Sequence, residues 1–417
     1  MPTFIRAILC ALLCLVAGGV GLDKAVDLGA GVLRWEDTIF FGSFNSFLQD
    51  LVFANGTLYA VGVGPLRHSP TTHADVTVKA YDPGSGEALW THPRPNVFED
   101  EGAAGIAAAG GSVVLAGSSH PLLEGFRRFI FVRAMDAKTG EFLWEDQCGS
   151  AFDTQARAIV SQGNRVFVGG VCDGSGFLRA YDPQSGAVLW ENSDDVVAHM
   201  AADGGQIYTV GRDSEPESTF LRSLDADTGA VNWRRAVTMM SDVLNPGGIA
   251  AHEGLVSVAL VGPFDASNRI QTHDAATGAG LWGDFPGEPM GVLTLHGGLL
   301  FAGSVRSPFS EPGIQVRAYD ATTGQVVWQR PGPGPVGAIE VQGSTLMVSD
   351  AGVGFHVQAL DASSGLLLWE DFLSAPAGAG AGPVAVHGSD VFVGGFRGNL
   401  EIPFGRELYL LRAYDSR

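Results

Sequence analysis

Ala134-Met135-Asp136-Ala137-Lys138-Thr139-Gly140-Glu141-Phe142-Leu143-Trp144 is one copy of a phrase that recurs along the whole chain. All eight tryptophans close such a phrase. Trp35, Trp90, Trp144, Trp190, Trp233, Trp282, Trp328 and Trp369 each follow an aspartate by eight residues, namely Asp27, Asp82, Asp136, Asp182, Asp225, Asp274, Asp320 and Asp361. The consensus is Ala-x-Asp-x-x-Ser/Thr-Gly-x-x-x-Trp, and its start returns once more at Ala413-Tyr414-Asp415. Self-similarity at a period of roughly 40 to 55 residues marks a repeat architecture in which each copy is one supersecondary unit.

Between successive tryptophans runs a second pattern: an apolar strand, a tight glycine turn and another apolar strand. Val160-Ser161-Gln162-Gly163-Asn164-Arg165-Val166-Phe167-Val168-Gly169 shows it, and Val386 to Gly394 repeats it. These read as β-hairpins. A third strand leads into the aspartate, as in Ile314 to Tyr319, and a fourth ends at the tryptophan. Between them Asp-x-x-Ser/Thr-Gly is turn chemistry, the carboxylate accepting from nearby amides and glycine taking positive φ. Four antiparallel strands per repeat predict a propeller blade. Eight hairpins fall near residues 51–63, 104–117, 158–170, 198–211, 249–262, 292–303, 338–349 and 384–395. The eighth repeat lacks a fourth strand, whereas Val32-Leu33-Arg34-Trp35 stands surplus ahead of the first. The reading is therefore an all-β, eight-bladed β-propeller whose N-terminal strand completes the last blade and removes the open edge.

Composition agrees with one large β domain. Hydrophobic residues make up 46%, charged residues 17%, and there are 58 glycines. A formal charge of −20 argues against a nucleic-acid partner, which needs a concentrated basic footprint. Residues 1–22 have the layout of a secretory signal peptide, Arg6 ahead of an apolar run from Ala7 to Val16 and then small residues. The run is short of the ~20 apolar residues of a membrane span, so none is expected after signal removal. Cys10 and Cys14 in this segment lack the pattern that precedes a lipidated cysteine. The remainder, 23–417, reads as a single exported domain, periplasmic or extracellular. It keeps Cys148 and Cys172, either a disulfide or two separate buried thiols.

The tryptophan phrase resembles the docking motif of the quinoprotein, or PQQ-like, eight-bladed propellers, and its eight copies cover essentially the whole exported chain. The resemblance implies that each tryptophan docks between neighbouring blades against a small residue and a glycine peptide, Trp328 against Ala318 or Ala359 and against Gly324 or Gly365. Ser223, Thr272 and Ala30 depart from the consensus but remain small. It also implies two functional classes. The PQQ-dependent dehydrogenases carry a pair of adjacent cysteines over the quinone and a calcium site of acidic and amide side chains with a catalytic aspartate. The non-enzymatic branch, which includes propellers of outer-membrane β-barrel assembly, binds proteins. No Cys-Cys pair occurs here, nor a recognisable non-repeating Glu, Asn and Asp set. The expectation is thus a monomeric, non-catalytic scaffold with no cofactor and no metal, binding a protein or another envelope component. A dehydrogenase using PQQ and calcium is the alternative. A lectin-like reading has no recurrent exposed aromatic in its favour.

Repetition itself separates framework from site, because a catalytic group is needed once. The eight motif aspartates read as turn acceptors, and the cations in register before the motif alanine, Lys79, Arg133, Arg179, Arg222, Arg317 and Arg412, as framework. His296 and His387 occupy a hairpin-turn position and His252 lies beside it, so they read as turn residues rather than metal ligands. The tight turns share one face. The opposite face holds the long insertions, Pro65 to Thr77, Ser118 to Arg128, Arg212 to Thr219, Ser304 to Gly313 and Phe396 to Glu407. Binding is expected on these variable loops. Arg67, Arg127, Arg128, Arg212, Arg306 and Arg397 are the candidate contacts, against the plainer reading of solubilising charge.

Overall fold

A computed structural model describes residues 31–39, 47–65, 74–93, 99–121, 127–151, 153–212, 218–237, 245–262, 268–305, 314–332, 334–350, 354–374, 379–398 and 407–415. The segment read as a signal peptide lies outside these residues, as do Asp27, Arg67, Arg306 and most of the long insertions.

The described strands pair into eight antiparallel sheets of four. The first strands of blades 1 to 8 are Phe47–Ala54, Glu99–Ala109, Gln155–Gln162, Val196–Asp203, Asn245–His252, Met290–His296, Val336–Gln342 and Ala379–His387. Each touches the first strand of the next blade, and the eighth touches the first, so they line the axis of a closed ring. Blade 8 is completed from the other end of the chain. Val32–Ile39 pairs antiparallel with Glu407–Asp415, Val32 opposite Asp415 and Ile39 opposite Tyr409.

The tight turns cluster at one end, where the aspartate turn bonds the hairpin turn of its own blade, as in Ala321 N–H to the Gly298 carbonyl at 2.9 Å. Asp136 shows the turn chemistry, its Oδ1 accepting from the Lys138 and Thr139 amides and the Thr139 hydroxyl. The Thr139 amide and hydroxyl hold this carboxyl below its ordinary range.

What joins blades is the indole. Trp328 of blade 6 lies over Gly365 of blade 7 and donates from Nε1 to the Ala362 carbonyl at 3.0 Å. In its own sheet it stands opposite Ala318. Gly365 has φ +71°, and a Cβ there would sit 2.7 Å from the ring, so backbone conformation and contact both demand glycine. The same contact recurs at every blade junction, with indole carbons 2.5–2.7 Å from an added Cβ on Gly86, Gly140, Gly186, Gly229, Gly278, Gly324, Gly365 and Gly31. Trp369 over Gly31 is the junction that docks blade 7 onto the closing strand.

Polar contacts reinforce these junctions. The residue two after tryptophan is aspartate at Asp37, Asp146, Asp284 and Asp371, and each accepts from a tyrosine hydroxyl of the following blade, Tyr81, Tyr181, Tyr319 and Tyr414, at 2.7–2.9 Å. The cation two before that tyrosine pairs with the same aspartate: Lys79, Arg179, Arg317 and Arg412. Between blades 2 and 3 there is also a covalent link, a disulfide joining Cys148 of the outermost strand to Cys172 of the next blade.

The axial ends of the first strands carry a further regularity. Every first strand contains one bulge, which leaves Gln49, Ala104, Arg157, Ala198, Gly247, Gly291, Gly337 and the Gly382-Pro383 pair without a directly opposed residue. Further along, two carboxyls are held in the wall. Asp50 accepts from the Leu51 and Ile106 amides, and burial pushes it up to about 6. Glu340, at the register position of Val52, Ala107 and Val160, is pushed up to about 7 by burial and by Asp50.

Two tests follow from this framework. Trp328→Ala should cost about 3 kcal/mol in chemical denaturation, the lower end for a large aromatic because the ring is half-buried. A loss below about 1 kcal/mol would contradict docking. The raised carboxyls also set a pH dependence. The folded chain keeps protons that the unfolded chain has released between about pH 4 and 7, so stability falls as pH rises through that window. Glu340→Gln should flatten the slope and stabilise the chain at pH 8 by on the order of 1 to 2 kcal/mol, after allowing for screening. An unchanged slope in parallel melts would contradict it.

Candidate functional site

The cations repeated in register are each held by a carboxylate. Besides the four pairs above, Arg133 is buried between Glu101 and Glu145, with 2.6 Å contacts to both, and Arg222 lies 3.1 Å from Asp195. In blade 7 the position is Gln358, and the neighbouring His356 carries the role, bonded to Asp350 and to Glu370. Those two carboxylates, working against burial, hold His356 above its ordinary pKa. These groups are consumed by the framework. His252 and His296 stack on each other, and His387 stacks on Phe53, at the tight-turn ends of their strands.

At the opposite end, the mouth of the axial channel opens into a cavity of about 690 Å³. Its wall comes from the starts of five consecutive first strands, with Arg212 added from the end of a second strand, Gln206–Arg212. This is the end where the second-to-third-strand loops emerge. Three of its residues, Gln49, Ala104 and Arg157, are bulge residues of adjacent blades, and Ala198 is a fourth. A bulge re-aims a side chain that the ladder would otherwise hold.

The charged side chains among the described residues that line this cavity are Arg157 and Arg212. Arg157 is exposed to it, and among the described residues none forms a hydrogen bond or ion pair with its guanidinium. Burial and the Arg212 charge both lower the Arg157 pKa, so its electrostatic neighbour is a like charge. Arg212 donates to Asn245 Oδ1 at 2.8 Å. His199, directly after the bulge of blade 4, has Nε2 3.3 Å from the Pro246 carbonyl, which fixes the proton on that nitrogen. Burial lowers its pKa, the Pro246 bond opposes this, and the Arg157 charge lowers it further.

The six arginines singled out in the sequence do not gather here. Arg212 lines the cavity; Arg127 and Arg128 precede the third strand of blade 2 and are not among its lining residues. The backbone of Arg397 belongs to the strand Asp390–Gly398, its side chain lies outside the described set, and so do Arg67 and Arg306 entirely. Arg157, His199 and Asn245 were missed. The available signal was the register of the first strands, in which Arg157 replaces a small residue.

A calcium ion takes about six to eight oxygens. Among the described residues no three His, Cys, Asp or Glu side chains converge as metal ligands. Asp50 has committed each oxygen to a backbone amide.

Comparisons with known proteins place the fold. Curated proteins give no match. Among solved structures, BamB from Moraxella catarrhalis is similar over 90% of this chain and 99% of its own, with 16% identity and a TM-score of 0.57. A europium-containing methanol dehydrogenase matches over 91% of this chain and 93% of its own, at 15% identity and TM-score 0.56. The quinohemoprotein alcohol dehydrogenase of Comamonas testosteroni matches over 92% of this chain and 76% of its own, at 14% identity and TM-score 0.60. At such identities these likenesses speak for the fold alone. A family model matches residues 129–263 and 266–406, well over half the chain, and by it the chain belongs to the PQQ-like propeller family described as outer membrane protein assembly factor BamB.

Proposed function

We propose that this chain is an exported, non-catalytic propeller that binds a protein of the cell envelope through the face where its second-to-third-strand loops emerge. The observation that carries the reading is the placement of irregularity. Tryptophans, aspartates, tyrosines and repeated cations are spent on blade junctions and tight turns, whereas the cavity with unrepeated polar residues opens on the loop face. Variable surface on a rigid scaffold is where binding usually resides.

Three further features support it. The family is described by an assembly factor rather than by an enzyme. The Cys148–Cys172 disulfide suits an oxidising compartment, as does the leader-like segment 1–22. The cavity wall, mainly Ala, Gln, Asn and Arg, offers neither the apolar enclosure usual for a small organic cofactor nor a nucleophile paired with a base.

The test is crosslinked capture from envelope extracts, comparing the wild type with a chain carrying Arg127→Glu, Arg128→Glu and Arg212→Glu, and with a control carrying Lys138→Glu at a tight turn. One protein should be captured by wild type and control and lost at least tenfold from the triple variant. An identical partner set in all three would overturn the reading, as would alcohol oxidation by the chain reconstituted with PQQ and calcium.

A further inference from the structure

The eight bulges form one ring of positions around the channel mouth, and the ring is almost bare. Four are occupied by glycine or Gly-Pro and two by alanine; only Gln49 and Arg157 project a polar side chain. Small residues at six positions keep the mouth open. The seventh and eighth place an amide and a guanidinium at its rim.

Arg157, on a first strand, differs from the framework cations of the third strands in the company it keeps. Arg133, Arg179, Arg222, Arg317 and Arg412 each have a carboxylate within about 3 Å, whereas among the described residues Arg157 has Arg212 and His199 as its charged or titratable neighbours. Arg157 thus faces the cavity beside a like charge, and an anion seated against its guanidinium would relieve that repulsion. Asn245 and the Pro246 carbonyl orient Arg212 and His199 in advance, which lowers the ordering cost of binding. Gln49 and Gln155 add amide donors to the same wall.

The occupant is bounded by the same features. A guanidinium fork matches a carboxylate in a bidentate contact. The chain carries −20 overall, a field that opposes a dianion more than a monoanion. The wall lacks the apolar and aromatic surface that would hold a free organic acid, so the rest of the binding energy must come from contacts outside the cavity.

We propose that Arg157, with Arg212 and His199 beside it, forms a carboxylate-recognition site at the channel mouth, and that it seats an acidic side chain of the protein partner. This rests on the protein-binding reading above. The site reads charge and binds a lone acidic side chain weakly on its own; the surrounding loop face adds the rest of the affinity.

The experiment is calorimetric titration of the full exported chain at low salt with four probes: the capped peptides acetyl-Gly-Glu-Gly-amide and acetyl-Gly-Gln-Gly-amide, free glutarate, and inorganic phosphate. The acidic peptide should bind, the glutamine peptide should not, and binding should weaken steeply with added salt. Arg157→Ala should weaken the acidic peptide at least tenfold, with melting unchanged because the side chain faces solvent. Arg165→Ala, at a tight turn and paired with Asp227, should bind as wild type. No binding of the acidic peptide, equal binding of the two peptides, or full affinity in Arg157→Ala would overturn the site. Binding of glutarate or phosphate without the acidic peptide would overturn the peptide occupant. Partner capture that survives while peptide binding fails sinks this site alone; loss of specific capture by the wild type sinks the broader reading.

Discussion

The indole resting on a glycine peptide of the next blade is the contact on which the rest of the structure depends. A four-stranded sheet cannot bury both faces alone, and eight of them stack only if each presents its neighbour with a fixed angle and spacing. The indole supplies both. Its ring fills the space over a glycine that could carry no Cβ, and its N–H reaches the carbonyl just after the motif aspartate in seven of eight junctions among the described residues. The eighth junction, Trp369 over Gly31, has the ring contact and joins the two ends of the chain.

Everything else at the junctions is variation on that contact. Where the residue two after tryptophan is aspartate, the next blade answers with tyrosine and a cation. Where it is not, an aromatic of the second strand tilts against the indole instead, as Tyr59 does for Trp90 and Phe301 for Trp328. Two solutions to one packing problem thus share the ring, and Trp35, tilted against Phe392 while Asp37 accepts from Tyr81, uses both. Both leave the channel mouth free of structural duty.

The architecture was legible because it is written eight times. Spacing between aspartate and tryptophan, the glycine between them and the surplus strand around Trp35 were enough to count blades and to join Val32–Ile39 to the last one. The candidate site was only half legible. Searching for irregularity pointed to the end of the propeller where the cavity opens, and Arg212 came into view because it begins an insertion. Arg157 escaped because it sits inside a first strand, where the alternating pattern reads it as one more wall residue. A bulge adds a residue without leaving a turn signal, so its effect on side-chain direction shows only when strands are paired. The same blindness applied to Asp50 and Glu340, whose burial depends on the ring being closed.

Hydrogen–deuterium exchange of the indole N–H groups, followed by NMR on the folded chain, tests the central claim most directly. The account requires Trp35, Trp90, Trp144, Trp190, Trp233, Trp282 and Trp328 to exchange slowly and as a cooperative set, because each N–H bonds a carbonyl of the adjoining blade at 2.8–3.1 Å. Exchange of most of them at the rate of free tryptophan, while the strand amides stay protected, would show that the blades are held together by something else.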